Sequence, residues 1–500
     1  MRRRLVICCV LVVVVVKANQ FDTILPSYLN PCHSAGYSDD AALLPDEALD
    51  LNHDQEEKEK KKAGNDESKA RERRGAVAGV WRLWDHAVIP YEIDASFTGY
   101  QRALFMNAFR QWEERTCLSF VPKEPVHDNW IIITKGDCGC SSFVGNKRLG
   151  GQGLSIGRGC DKFGIILHEL GHTIGYWHEQ SRPDRDEYVL VKLDNVAAGR
   201  GYNFNRQPEY EIDSRGEPYD FNSIMHYSSH QFSKNRGAQT IIPRPSAKMF
   251  IGQRVALSDG DVRQTKKMYR CPKCGETLQN SKGRFTTPMK KYAGMVCQWR
   301  IHVSPGEKVT FNITSMFIPK SSSAKSSVCA KGYVEVRDGY WKKSPLIGRY
   351  CGFKIPPPFT STGNRVWIEF KILTDIGAVD MQYDVVCGGE LTAEEGMLTS
   401  PNYPGFYKSN KECYWSITLD KEWRILIRFE VFEIELSDNC EFDYLLIKDG
   451  CRLDSPILGR FCGGTIPDDI VSSSNEICLS FASDDSVHKQ GFVFHYNKVV

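Results

Sequence analysis

The stretch DKFGIILHELGHTIGYWHEQ, residues 161–180, sets three histidines and a glutamate within eleven positions of an apolar run. Phe163, Ile166, Leu167, Leu170 and Ile174 recur at helical spacing, Asp161 stands where an N-cap belongs, and Gly175 stands where a helix would end. His168 and His172 are four apart, so one helical face presents both imidazoles to a single ion. Glu169 falls one residue along, on a neighbouring face. After a turn at Gly175 the chain can fold back and bring His178 to a third corner. Three neutral imidazoles leave a fourth position open, which distinguishes a catalytic zinc site from a closed structural one. A buried helix with stray polar residues is the competing reading. A bare His-Glu-x-x-His does arise by chance, but the further demand for Gly175 and His178 at fixed offsets makes coincidence far rarer.

A chain of 500 residues exceeds what one hydrophobic core serves, so several domains are expected. A formal net charge of +2 gives no reason to expect a nucleic-acid partner. Arg2 to Arg4, the apolar run Leu5 to Val16 and the small residue Ala18 read as a secretory signal over residues 1–18. That run falls short of the ~20 residues a membrane span needs, and no other stretch qualifies, so no membrane anchor and a secreted, extracellular chain are expected. Eighteen cysteines fit that compartment. Asn312-Ile313-Thr314 is the one N-x-T glycosylation acceptor. Residues 54–74 are nearly all charged and cannot bury enough apolar surface to fold. They end in Arg71-Glu72-Arg73-Arg74, a site suited to a furin-like processing protease, which makes residues 19–74 a propeptide and Gly75 the mature N-terminus.

Past Cys271 the chain repeats. Cys274-Gly-Glu-Thr-Leu, Cys297-Gln-Trp-Arg-Ile, Tyr333-Val-Glu-Val-Arg-Asp-Gly and Cys351-Gly return as Cys387-Gly-Gly-Glu-Leu, Cys413-Tyr-Trp-Ser-Ile, Tyr444-Leu-Leu-Ile-Lys-Asp-Gly and Cys462-Gly, 111 to 116 residues later. That period is a whole domain. Alternating β-rich runs between turn clusters predict two antiparallel β-sandwiches, over 274–386 and 387–498, after a 75–272 unit. Equivalent placement makes Cys274–Cys297, Cys329–Cys351, Cys387–Cys413 and Cys440–Cys462 the economical pairings, although sequence does not fix connectivity. Cys451 and Cys478 occur only in the second repeat and are candidates to pair with each other.

The string His168 to Glu179 resembles the metzincin signature, and Glu179 followed by Arg182-Pro183-Asp184-Arg185 resembles the astacins. Ser223-Ile224-Met225-His226-Tyr227 is similar to the family's Met-turn. The repeats resemble CUB domains. Together the parts resemble the tolloid group, also called the bone morphogenetic protein 1 or procollagen C-proteinase group. The resemblance implies an α+β zinc protease domain followed by two antiparallel β-sandwich CUB domains: a zinc metalloendopeptidase made as a zymogen. It implies His168, His172 and His178 as zinc ligands, Glu169 as the base, Met225 beneath the metal and Tyr227 as a switchable fifth ligand and oxyanion donor. Glu179 is implied to receive the ammonium of Gly75 once the bond after Arg74 is cut. Lys162 and Arg254 match positions that make the S1′ pocket basic, so Asp at P1′ is expected. Procollagen-type precursors or chordin-like growth-factor antagonists are the implied extracellular substrates. A broad-specificity hatching or digestive astacin is the enzyme alternative; a non-catalytic CUB adhesion protein conflicts with the intact site.

Three features depart from the pattern. Tyr37 and Asp39 replace the Phe and Gly of the propeptide's Phe-x-Gly-Asp motif, leaving Asp40 as candidate inhibitory ligand, with a Cys32 thiolate or an ordinary acidic loop as alternatives. The group's adjacent cysteines are here Cys138-Gly139-Cys140; if Cys117–Cys271 and Cys138–Cys160 form, the pairings expected, Cys140 is left free or joins Cys32. Glu435, Asp443 and Asp484 match the calcium-binding acids of CUB domains in the second repeat only.

Overall fold

The computed structural model describes residues 41–42, 76–77, 79–136, 139–235, 237–246, 248–288, 293–320, 329–403 and 405–500. The signal, Cys32, Asp40, Arg74, Gly75 and Cys138 lie outside them.

A six-stranded sheet carries the metal-binding helix. Its strands are β1 (Ala41–Ala42), β2 (Val88–Ile93), β3 (Ser119–Pro122), β4 (Trp130–Thr134), β5 (Cys140–Phe143) and β6 (Gly151–Ile156), in the spatial order β1-β5-β6-β4-β2-β3. All neighbours run parallel except β5 and β6. Two helices, α1 (Gly99–Arg115) and α2 (Phe163–Ile174), pack together here, the Trp112 indole donating to the Leu167 carbonyl at 3.3 Å. A capping box of Thr98 and Gln101 starts α1. Phe105, Phe109, Trp112, Ile131, Leu154, Leu167 and Leu170 are buried together, each contributing about 1.5–3 kcal/mol of apolar burial. Helix α2 starts after Lys162 rather than on an Asp161 cap, because the Asp161 carboxylate accepts instead from Gln101 Nε2. Below it the chain is mostly turns, with a small core of Val189, Phe204, Tyr219, Tyr227, Ile241 and Ile251 and a closing helix α3 (Asp259–Met268).

Cys117–Cys271 closes this unit as expected from sequence, but the second bridge is Cys140–Cys160 and not Cys138–Cys160. Antiparallel pairing sets Cys140 opposite Ile156, and the turn after β6 returns Cys160 to within 5.6 Å, Cα to Cα.

Each repeat is a β-sandwich with its own core, one around Trp299, Phe311 and Phe370 and the other around Trp415, Phe429 and Phe481. The four equivalent bridges and Cys451–Cys478 are all closed. The strand Ala378–Leu391 pairs with Glu307–Phe317 of the first sandwich and, at its far end, with Glu412–Thr418 of the second. Lys411 and Glu307 form a buried ion pair at 2.6 Å across that junction.

A second buried charge cluster joins the first sandwich to α1. Glu113 accepts from His302 Nδ1 at 2.6 Å, from Arg365 at 3.1 Å and from the Phe120 amide at 2.7 Å. Burial pushes the Glu113 carboxyl up, but Arg365 and His302 outweigh it and hold it at about 2. Burial, with Arg365 adding to it, pulls His302 down to about 4, so the pair meets as neutral imidazole and carboxylate. Both folded values lie below the ordinary 6.5 and 4.5, so the unfolded chain binds more protons and stability rises with pH. The His302 contribution is complete above about pH 6.5 and is lost towards 4; that of Glu113 is lost between 4.5 and 2. Calorimetry should therefore show the melting temperature falling from pH 6.5 to 4. Arg365→Ala, which strands a buried carboxylate, should cost about 3–5 kcal/mol at neutral pH; a variant melting like the parent contradicts this reading of the junction.

Candidate metal centre

Helix α2 is buried along nearly its whole length, and His168, His172 and His178 are all shut off from solvent. Gly175 ends the helix at φ +126°, a conformation that favours glycine, and the chain doubles back. Through that turn His178 returns to the helix: one nitrogen of each imidazole lies within 4.8 Å of those of the other two. The ring orientations are fixed by backbone. His168 Nδ1 lies 2.8 Å from the Ile224 carbonyl and His172 Nδ1 2.7 Å from the Tyr176 carbonyl, so each Nδ1–H donates there and each Nε2 keeps its lone pair. Three buried imidazoles with converging nitrogens suit a divalent transition metal of the zinc type.

The floor is Met225, buried under Gly171; a Cβ on residue 171 would collide with the Met225 sulfur. The turn carrying Met225 is held by Asp261, whose oxygens accept from Ser223 Oγ at 2.7 Å and the Ile224 amide at 3.0 Å. The same carboxylate closes the capping box of α3 with Ser258. Tyr227 is buried with its ring 4.4 Å from that of His178, its amide donating to Gln180 Oε1. Next to it His226, pulled down to about 4 by burial, donates from Nδ1 to the Tyr227 carbonyl and accepts from Tyr219. Glu169 is buried on α2 between the two helix histidines in sequence.

Burial drives the Glu179 carboxyl up to about 7 although Arg182 and the Asp220 amide both stabilise its charge. Arg182 is itself pinned by a two-pronged bond to Asp184. Ala76, fully buried, bridges Tyr176, and the Val77 amide donates to Gly175. Lys162 is exposed just before α2; the Arg254 backbone abuts Gly164, and its guanidinium donates to the His226 carbonyl at 3.0 Å. Strand β5 is bound to the metal helix: Ser142 Oγ meets Thr173 Oγ1 at 2.9 Å and the Gly145 amide donates to His172.

In the second sandwich Glu435, Asp443 and Asp484 place oxygens within 4.8 Å of one another. Asp443 is fully buried, accepting from Tyr407 and from the Asp484 amide. Glu435 Oε2 is buried without a hydrogen bond among the described residues, and desolvation and its acidic neighbours push its carboxyl up. Strand register aligns these three with Pro319, Gly332 and Leu373 in the first sandwich, none of them acidic. Asn312 is half-buried on the strand Glu307–Phe317, opposite Gln382.

Asp261, Gln180 and Tyr219 belong to the centre without any local sequence signal that places them there. Ser258-x-x-Asp261 was readable as a capping box, but nothing local signals that its carboxylate also supports the turn 38 residues earlier.

A zinc-type centre of three histidines on a helix and its return turn, over a methionine, on a mixed sheet, defines a metzincin-class metallopeptidase domain. The astacin peptidase family matches residues 76–270, and the CUB domain matches 274–379 and 387–496. Among curated relatives, bone morphogenetic protein 1 of Xenopus laevis is 46% identical over 437 residues, covering 86% of this chain and 61% of that protein. Tolloid-like protein 1 of Homo sapiens is 46% identical over 437 residues, covering 85% and 42%. A bone morphogenetic protein 1 homolog of Strongylocentrotus purpuratus is 42% identical over 496 residues, covering 93% and 77%. The chain belongs to the astacin family, in its tolloid and bone morphogenetic protein 1 group. It spans about half the length of the first two of these relatives. Among the described residues no helix is long and apolar enough to cross a membrane.

Gly171→Ala should overpack the floor by about 1–3 kcal/mol. The expected result is a lower melting temperature with faster loss of zinc to a chelator; retention equal to the parent's would contradict a Met225 support.

Proposed function

We propose that the chain is a secreted zinc endopeptidase, made as a zymogen, that cleaves extracellular proteins before an acidic residue. The observation that carries the reading is the convergence of His178 on His168 and His172 of helix α2, which also carries the buried Glu169 and is bonded to a sheet edge. Zinc, when bound, polarises a peptide carbonyl and lowers the pKa of water. Glu169 accepts the proton of the attacking water and returns it to the leaving amine. The Tyr227 hydroxyl donates where negative charge develops on the carbonyl oxygen. An extended substrate lies along β5, whose outer neighbour among the described residues is only the two-residue β1. Lys162 and Arg254 supply positive charge for an Asp side chain at P1′, and procollagen-like or chordin-like proteins fit that preference by family resemblance.

Zymogen control is supported by the same edge. Ala41 and Ala42 pair with Ser142 and Phe143 of β5, so the propeptide competes with substrate for that strand. Asp40, the residue before, is the proposed blocking ligand, with Cys32 the rival. A furin-like protease cutting after Arg74 would free Gly75 next to buried Ala76, and its ammonium would neutralise Glu179, a carboxylate that burial holds near 7. In the second CUB domain the oxygens of Glu435, Asp443 and Asp484 suit calcium. Asn312 is the proposed glycan site.

Digestion of a peptide library by the processed chain should give products beginning with Asp or Glu, and Glu169→Ala should bind zinc yet lose at least ~10²-fold in kcat. Cleavage without acidic preference, or normal turnover by that variant, overturns the reading. Titration calorimetry on the two-CUB segment should find one calcium site, abolished by Asp443→Ala; two sites or none would contradict the assignment.

A further inference from the structure

Where the protease domain meets the first CUB domain, two cavities of about 430 and 620 Å3 adjoin. They share Cys117, Arg270, Pro272, Gln298 and Arg300, so they form one groove. Its walls are fixed by two disulfides, Cys117–Cys271 on the protease side and Cys274–Cys297 on the CUB side. Such a groove is preorganised and loses little on ordering a ligand.

The charge in it is one-sided. Lys266, Arg270, Lys273, Arg300 and Lys342 line the groove, and none of the five has an ion-pair partner among the described residues. The other two lining cations are spoken for, Arg115 by Asp259 and Lys267 by Glu217. Against the five stand two lining carboxylates, Glu114 and Glu276, both in the larger cavity; the smaller has none. On a chain whose net charge is only +2, this is a local concentration of positive charge. Arg300 is the deepest of the group. It lies across from Trp367 in the sheet, its one side-chain hydrogen-bond partner among the described residues is Gln298 at 2.9 Å, and burial, only partly opposed by the charge of Glu113, pulls its guanidinium down to about 10, a site that an anion would relieve. The smaller cavity also has aromatic walls, Trp84, Trp367 and a Tyr340–Trp341 stack at 5.5 Å.

We propose that this groove binds a sulfated glycosaminoglycan chain, whose repeating sulfates pair with Arg270, Lys273 and Arg300. An acidic polypeptide is disfavoured by the walls. A peptide gains affinity from a free strand edge or an apolar helix groove. The strand that supplies Gln298 and Arg300, Met295–His302, is paired on both sides, with Thr277–Leu278 and Arg365–Ile372. Polysaccharide recognition needs no backbone ladder. The guanidinium fork matches an oxyanion with two parallel hydrogen bonds. The groove also lies at the junction between protease and CUB domain, so its occupant touches both.

The test is binding of the full chain to immobilised heparin over a salt series, with poly-L-glutamate as the competing polyanion. Arg270→Ser/Lys273→Ser/Arg300→Gln should lose about tenfold or more in affinity, with a shallower dependence of log affinity on log salt. A control of equal charge loss elsewhere, Lys234→Ser/Lys248→Ser/Lys421→Ser, should bind like the parent, and both variants should retain turnover of a short peptide. Should Arg300→Gln disturb folding, the exposed pair Arg270→Ser/Lys273→Ser serves alone, with a fall of severalfold expected. Equal heparin affinity in groove and control variants would overturn the proposal, as would no heparin binding by the parent or tighter retention of poly-L-glutamate than of heparin.

Discussion

The constraint on which the protease unit depends is that the two helix imidazoles, His168 and His172, both turn Nε2 towards the centre. A histidine whose Nδ1–H has no acceptor is free to flip, and a flipped ring would offer a proton to the metal. The Ile224 and Tyr176 carbonyls remove that freedom for His168 and His172. Each acceptor has its own support. Ile224 belongs to the turn that Asp261 holds from α3, and Tyr176 follows the glycine that ends α2, its hydroxyl bonded to the Asp261 carbonyl. One acidic residue, buried and fully bonded, thus steadies both sides of the centre. Gly171 belongs to the same arrangement, because only a residue without a side chain lets the methionine floor approach the helix.

The α1 helix has an equivalent role between domains. One stretch of it faces the metal helix through Trp112. The next residue, Glu113, is the carboxylate that His302 and Arg365 of the first CUB domain reach, and Arg110 contacts Asn402 of the second. Buried charge at such a junction adds little net stability compared with apolar packing, but it punishes misalignment, since any shift strands a charge. The CUB domains are therefore held in one orientation against the catalytic unit. The two sandwiches have also diverged: the acidic triad of the second is Pro319, Gly332 and Leu373 in the first, so the first has no equivalent oxygens.

Much of this was legible in the sequence because the signals were local or repeated. Helical spacing from Phe163 to Ile174, the glycine at 175 and the offset to His178 specify the centre within one short stretch, and the 111 to 116 residue repeat marks out the sandwiches. What was illegible depends on contacts between distant segments. Cys138 and Cys140 are two residues apart, and only the register of β5 against β6 decides which of them meets Cys160. Asp161 looks like a cap until Gln101 of another helix claims its carboxylate. Asp261 and Glu113 look like ordinary charged positions, because what they hold lies tens to hundreds of residues away.

Three imidazoles converging on one ion leave a signature in X-ray absorption at the zinc edge of the processed chain. The expected result is one zinc per chain with three imidazole nitrogens at about 2.0–2.1 Å and oxygen completing the shell. A spectrum showing sulfur, fewer than three imidazoles, or less than stoichiometric metal would contradict it.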